Sequence, residues 1–278
     1  MVFDAYIQKI SEYIEDMRAE GRRVNVFSAP SAMEELKAGL PIQVGPGAGS
    51  GIILRDDTYV ELGNPEAGSS AFMLFTNKPE LVNVGRITVI GTDIKESAGK
   101  SLPFGQVLII GGRSLDDNDH EALRHAGFIG DQIEGYMVRS FTQSIWSRVG
   151  KGAAGKGFSL ETLGRALMFL YKSGNSKIEV MEAIFITSGK KDLKKIDEIA
   201  VQVQKITKEL ARQTWKIRGF DIDCISDCST CNDKPVCDEI KEMLKEKKNM
   251  TIDNKYIQKK PAVNRTGIPR NKKIFKGR

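Results

Sequence analysis

All four cysteines of this chain fall between residues 224 and 237, and the rest of its 278 residues hold none. A disulfide-stapled domain spreads its cysteines through the part it ties together, so this crowding argues for metal. The run reads Cys224-x3-Cys228-x2-Cys231-x5-Cys237. Loops that short let four thiolates converge on one centre. Iron–sulfur clusters take such compact runs, and Pro235 stands close to the last cysteine, as proline does in ferredoxin-like segments. Structural zinc more often uses two separated CxxC knuckles, and only one, Cys228 to Cys231, is present. A [4Fe–4S] cluster is therefore the first reading and zinc the alternative. Four unliganded reduced thiols form the bland third case, and Cys224, set off by three residues, is the least constrained ligand.

Charge separates the same end of the chain from its body. The net charge is +6, yet Lys247–Arg278 carries eleven Lys or Arg against the single acid Asp253, so the preceding residues are slightly acidic. A nucleic-acid-binding core would spread its cations over a folded face, so this pattern argues against one. The tail reads as a solvated extension, or as a dock for an acidic partner. With 40% hydrophobic and 28% charged residues, the body has enough apolar content to bury a core. No apolar run approaches the ~18 residues of a membrane span. The opening residues, with acids mixed into an amphipathic pattern, do not resemble a targeting peptide. The expected location is the cytoplasm.

Periodicity places the elements. Phe3, Tyr6, Ile7, Ile10, Tyr13, Ile14 and Met17 recur at helical spacing, which predicts a helix over 3–17. Strands are expected at 22–27, 58–62, 71–75, 86–90, 106–110 and 179–187, where β-branched and aromatic residues concentrate. Ile133, Met137, Phe141, Ile145 and Val149 stand at four-residue spacing and predict a helix over 130–149. A second helix is expected over 159–172, with Ser159 as N-cap and Glu161 in the first turn, where its charge suits the helix dipole. The Gly-rich stretch 151–157 between them reads as a flexible joint. A long helix over 192–218 buries Leu193, Ile196, Ile199, Val203, Ile206 and Leu210, and delivers the chain to the cysteines. Residues 238–248 suggest a short charged helix. Strands and helices do not alternate as βαβα, so the expected class is α+β: a mixed, mainly antiparallel sheet with packed helices, followed by a small Cys-rich metal segment and a basic tail.

Two motifs invite sharper readings. Gly45-Pro46-Gly47-Ala48-Gly49-Ser50-Gly51 lacks the lysine of a P-loop. It also precedes Ile52-Ile53-Leu54 rather than a helix, which argues against a dinucleotide fingerprint. It reads as a tight turn feeding a strand, with close backbone approach to a ligand or partner as the alternative. His120 and His125, near the acidic stretch 116–121, read as part of a solvated loop and helix start, not a catalytic site.

A resemblance spans residues 40–214. It is carried by Asp57-Thr58-Tyr59-Val60-Glu61-Leu62-Gly63-Asn64-Pro65, Ile87-Thr88-Val89-Ile90-Gly91-Thr92-Asp93-Ile94 and Leu102-Pro103-Phe104-Gly105. It continues through Gln132-Ile133-Glu134-Gly135, Ile145-Trp146-Ser147-Arg148-Val149, the segment 163–172 and the strand at 183–187. In order and spacing these resemble the beta subunit of the CO dehydrogenase/acetyl-CoA synthase (decarbonylase) complex. The resemblance implies an α+β domain that helps accommodate coenzyme A and precedes a catalytic domain with a nickel–nickel–[4Fe–4S] centre. Trp146 and Arg148 match the family's Trp-x-Arg, and the guanidinium suits coenzyme A phosphates. Cys228 and Cys231 fall where the family's first CxxC would, but Cys237 comes too early and no Cys-Gly-Cys follows.

The resemblance therefore implies a shortened relative that keeps an iron–sulfur cluster and lacks the nickel site. The expected organisation is an N-terminal helical segment (1–39), an acetyl-CoA-synthase-like domain (40–219), a Cys-rich segment with a short helix (220–248) and an extended basic tail (249–278). The expected role is an iron–sulfur accessory subunit of an anaerobic one-carbon or acyl-CoA complex, with other subunits of that redox assembly as partners. The alternatives are a zinc-stapled interaction protein and an enzyme acting on a coenzyme A thioester or a corrinoid methyl donor.

Overall fold

A computed structural model of the chain describes residues 2–49, 51–116, 119, 123, 126–140 and 144–217. All of them belong to one compact unit, Met1–Phe220. The four cysteines, both histidines and the basic tail lie outside the described residues.

Nine described strands form two sheets. The larger has the order β1-β4-β9-β6-β3, from Val24–Ser28 (β1), Arg86–Ile90 (β4), Val180–Ile186 (β9), Phe104–Gly111 (β6) and Ser69–Thr76 (β3). The smaller has the order β5-β2-β8-β7, from Ser101–Leu102 (β5), Thr58–Leu62 (β2), Ile145–Gly150 (β8) and Tyr136–Ser140 (β7). Parallel and antiparallel contacts mix in both sheets: β4–β9, β3–β6 and β2–β5 run parallel and the other pairings antiparallel. The class is α+β with mixed sheets and packed helices, and the strands predicted at 58–62 and 86–90 hold to the residue.

Helices cover both faces of the larger sheet. Helix α4, Leu160–Gly174, lies on one side: a Cβ added at Gly164 would meet Ile87 at 2.9 Å, so only glycine lets helix and strand approach this closely. Helix α5, Lys190–Ile217, lies on the other, where Leu193 sits 2.9 Å from the Cβ position of Gly105. Helix α1, Asp4–Ala19, buries Ile7, Ile10, Tyr13, Ile14 and Met17, and Tyr13 donates its hydroxyl to the Asp192 carbonyl of α5 (3.3 Å). Ser159 caps α4 as expected, its Oγ accepting from Thr162 N at 3.1 Å. Asp93 adds a second cap by accepting from Leu160 N at 2.9 Å. Short helices α2, Met33–Ala38, and α3, Lys151–Gly155, complete the described set.

Three expectations are overturned. The described residues of 130–149 form no α-helix; they contain the end of a 3-10 turn (Ala126–Gln132), β7 and β8. Four-residue spacing is also an even spacing, so it fits a strand as well as a helix. Across the hairpin Met137 pairs with Arg148, whereas Val149 pairs with Tyr136, so the supposed stripe is split between two faces. The joint at 151–157 is not loose throughout, because Lys151–Gly155 coils into α3 immediately after β8. The apolar run Ile52–Leu54 is no strand: Ile52 and Leu54 point to solvent, 74% and 63% exposed, while Ile53 alone is buried.

Candidate functional site

A polar constellation forms where β2 and β8 pair, Glu61 opposite Arg148. Alternation along β8 buries Ile145, Ser147 and Val149, which leaves Trp146 and Arg148 together on the other face. Glu61 Oε1 accepts from Trp146 Nε1 (3.0 Å) and Arg148 Nε (3.1 Å). Oε2 accepts from Asn64 Nδ2 and Ser101 Oγ, each at 2.9 Å. Arg148 Nη1 donates to the Ile53 carbonyl at 3.2 Å, and the guanidinium carbon lies 4.9 Å from the centre of the Trp146 ring.

This arrangement limits the chemistry. Partial burial alone would raise the Glu61 pKa, but the four donors outweigh it and hold the carboxyl at about 2. Glu61 is therefore ionised at neutral pH and too weakly basic to serve as a general base. Its charge already neutralises Arg148, whose contacts to Glu61 and Ile53 use two of five N–H donors. The sequence reading singled out Trp146 and Arg148 but not Glu61, Asn64 or Ser101. The available signal was an acid within the strand Thr58-Tyr59-Val60-Glu61-Leu62, since a carboxylate on a half-buried strand requires donors. Trp146 sits on a strand, not on the amphipathic helix expected for it, and is only partly buried.

A second ion pair serves packing. Glu182, 1% exposed in β9, accepts from Arg86 Nε (2.8 Å) and from Asn83 Nδ2 (3.0 Å), and Arg86 Nη2 approaches it to 2.7 Å. Among the described residues no group of three or more His, Cys, Asp or Glu is placed to hold a metal, and no helix is long and apolar enough to cross a membrane. The expected ligands Cys224, Cys228, Cys231 and Cys237 lie outside the described residues.

The described body is an α+β domain of two mixed sheets with packed helices, and its Trp-x-Arg pair is tethered to Glu61. The family model of the CO dehydrogenase/acetyl-CoA synthase complex beta subunit matches residues 40–192, and the chain belongs to this family. Subunit beta of the acetyl-CoA decarbonylase/synthase complex from Archaeoglobus fulgidus is 28% identical over 213 residues, covering 75% of this chain and 38% of that protein. Subunit beta 1 from Methanosarcina thermophila is 27% identical over 196 residues (70% and 41%). Subunit beta from Methanopyrus kandleri is 30% identical over 199 residues (70% and 41%). The chain thus spans about two-fifths of the length of these relatives.

Proposed function

We propose that this chain is an accessory subunit of a cytoplasmic multiprotein one-carbon or acyl-CoA complex, and that it holds an iron–sulfur cluster through Cys224, Cys228, Cys231 and Cys237. The observation that carries the reading is family membership over 40–192 combined with a compact four-thiol run that follows the family domain. The relatives are named as subunits of the acetyl-CoA decarbonylase/synthase complex, which supports an assembly partner over a free-standing enzyme. The thiolate donors suit a [4Fe–4S] cluster, which when bound supplies one-electron transfer or a structural tie. The resemblance associates nickel with a Cys-Gly-Cys, and the reading assigns these 278 residues, which hold none, the cluster rather than the nickel chemistry. At Trp146 and Arg148 it places the nucleotide end of coenzyme A, with the indole face for stacking and the remaining guanidinium N–H groups for phosphate. The basic stretch 247–278 docks on an acidic surface of a partner subunit.

The test is anaerobic purification with iron, sulfide, zinc and nickel quantified per chain, alongside a visible absorption spectrum. About four iron and four sulfide with absorption that bleaches on reduction is the expected result. Stoichiometric zinc without visible absorption would replace this reading by a structural knuckle built around Cys228-x2-Cys231.

A further inference from the structure

A cleft of about 450 Å³ opens between the end of α2 and the Gly-rich turn, within the range of roughly 300–1,000 Å³ typical of small-molecule sites. We propose that it binds a small amphipathic anion, an apolar body carrying one carboxylate or phosphate group. This goes beyond the cluster and the Trp146–Arg148 platform, which share none of its lining.

The lining supplies both halves of that chemistry. Leu40, Ile42 and Val44 give it an apolar surface, and Pro46 and Ala48 extend that surface along the turn. Lys37 is the one charged residue of the lining. Among the described residues Lys37 pairs with no carboxylate; its ammonium lies 5.8 Å from the centre of the Phe169 ring, against an electron-rich face. Glu134, on the turn side, is already engaged, accepting from Gln43 N at 2.8 Å and pairing with Lys156. Lys37 is thus the cation that the lining offers to an anion.

The wall opposite α2 is built before any ligand arrives. Gly45 N donates to Gln132 O (2.9 Å), Glu134 N to Gln43 O (3.0 Å) and Ala48 N to Gly45 O (3.0 Å). Val44 bridges Ile133, and a Cβ at Gly49 would collide with the Asp131 carbonyl. The turn bends through Gly45 and Gly47 at φ +124° and +82°, a conformation that side chains other than glycine rarely adopt. A wall fixed in this way spares a ligand the cost of ordering it. The same glycine spacing that fails as a P-loop thus shapes one side of a cleft whose cation comes from α2.

The test is ¹⁵N–¹H correlation NMR of the full chain, purified anaerobically and titrated with octanoate, octyl phosphate, octanol and inorganic phosphate. Octanoate and octyl phosphate should shift the Val44, Gly47 and Ala48 amides saturably, with whichever head group binds more tightly identifying the natural source. Lys37→Gln should weaken both about tenfold and leave octanol unchanged, and Lys37→Arg should restore them. Thermal melts of the Lys37 variants establish that they stay folded, since Lys37 is exposed at a helix end. The proposal is overturned if no saturable shift occurs at these amides, or if Lys37→Gln leaves octanoate affinity unchanged. It fails equally if inorganic phosphate binds as well as octyl phosphate, because the apolar lining would then contribute nothing.

Discussion

Replacing Glu61 by glutamine keeps the shape of the β2–β8 junction but removes the charge that four donors converge on. The wild-type carboxyl is held at about 2 against an ordinary 4.5. At 1.36 kcal/mol per pKa unit, that difference sets a ceiling of roughly 3 kcal/mol on what ionisation of this one group contributes to folding. Side chains of Glu61 and Arg148 keep 19% and 20% of their surface exposed, so water screens the pair and about 2 kcal/mol is the expected loss at pH 7. A lowered folded pKa contributes stability that is fully present above 4.5 and is lost as pH falls toward 2. Urea unfolding of wild type and Glu61→Gln at pH 7, 5, 4 and 3, followed by far-UV circular dichroism, measures this directly. The gap between the two proteins should be constant from pH 7 to about 5, shrink by more than half by pH 3, and show unchanged m-values. A gap of the same size at pH 3 as at pH 7 would show that the glutamine acts through packing. No gap at pH 7 would show that the charge of Glu61 contributes nothing net.

Three further outcomes follow from other parts of the chain. Glu182→Gln leaves Arg86 facing a neutral amide deep in the larger sheet and should cost about 3 kcal/mol in chemical denaturation, more than Glu61→Gln because Glu182 is 1% exposed. Gly135→Ala should destabilise by about 2–3 kcal/mol, because φ is +69° there and the added Cβ would lie against Ala153; an unshifted melting temperature refutes the fitted turn between β7 and its neighbours. Cys231→Ser should lose the iron and the visible absorption while circular dichroism of the helical and sheet body is retained; a globally unfolded variant would contradict a separable metal segment.

The strands at 58–62 and 86–90, the Ser159 cap and the buried stripe of α5 could all be read from the chain, because alternation, capping and 3.6-residue periodicity act between near neighbours in sequence. The same local logic misread 130–149. Even spacing cannot tell a strand face from a helix face, and the pairing of Met137 with Arg148 and of Tyr136 with Val149 is a fact of strand register. Ile52–Leu54 was misread for a related reason: three apolar residues look like a strand until the fold gives them no partner.

The sites divide along the same line. The cysteine run is contained in fourteen residues, so the proposal that it holds a metal draws on no tertiary information, and the separation of a basic tail from a slightly acidic body is likewise a property of composition. The Glu61 constellation draws on Ile53, Asn64, Ser101, Trp146 and Arg148, which lie up to 95 positions apart. The cleft joins α2 to a turn that is pinned by residues near 132. Side chains so distant meet only after loop closure and strand pairing have been completed, and those steps are set by the whole chain rather than by any window of it.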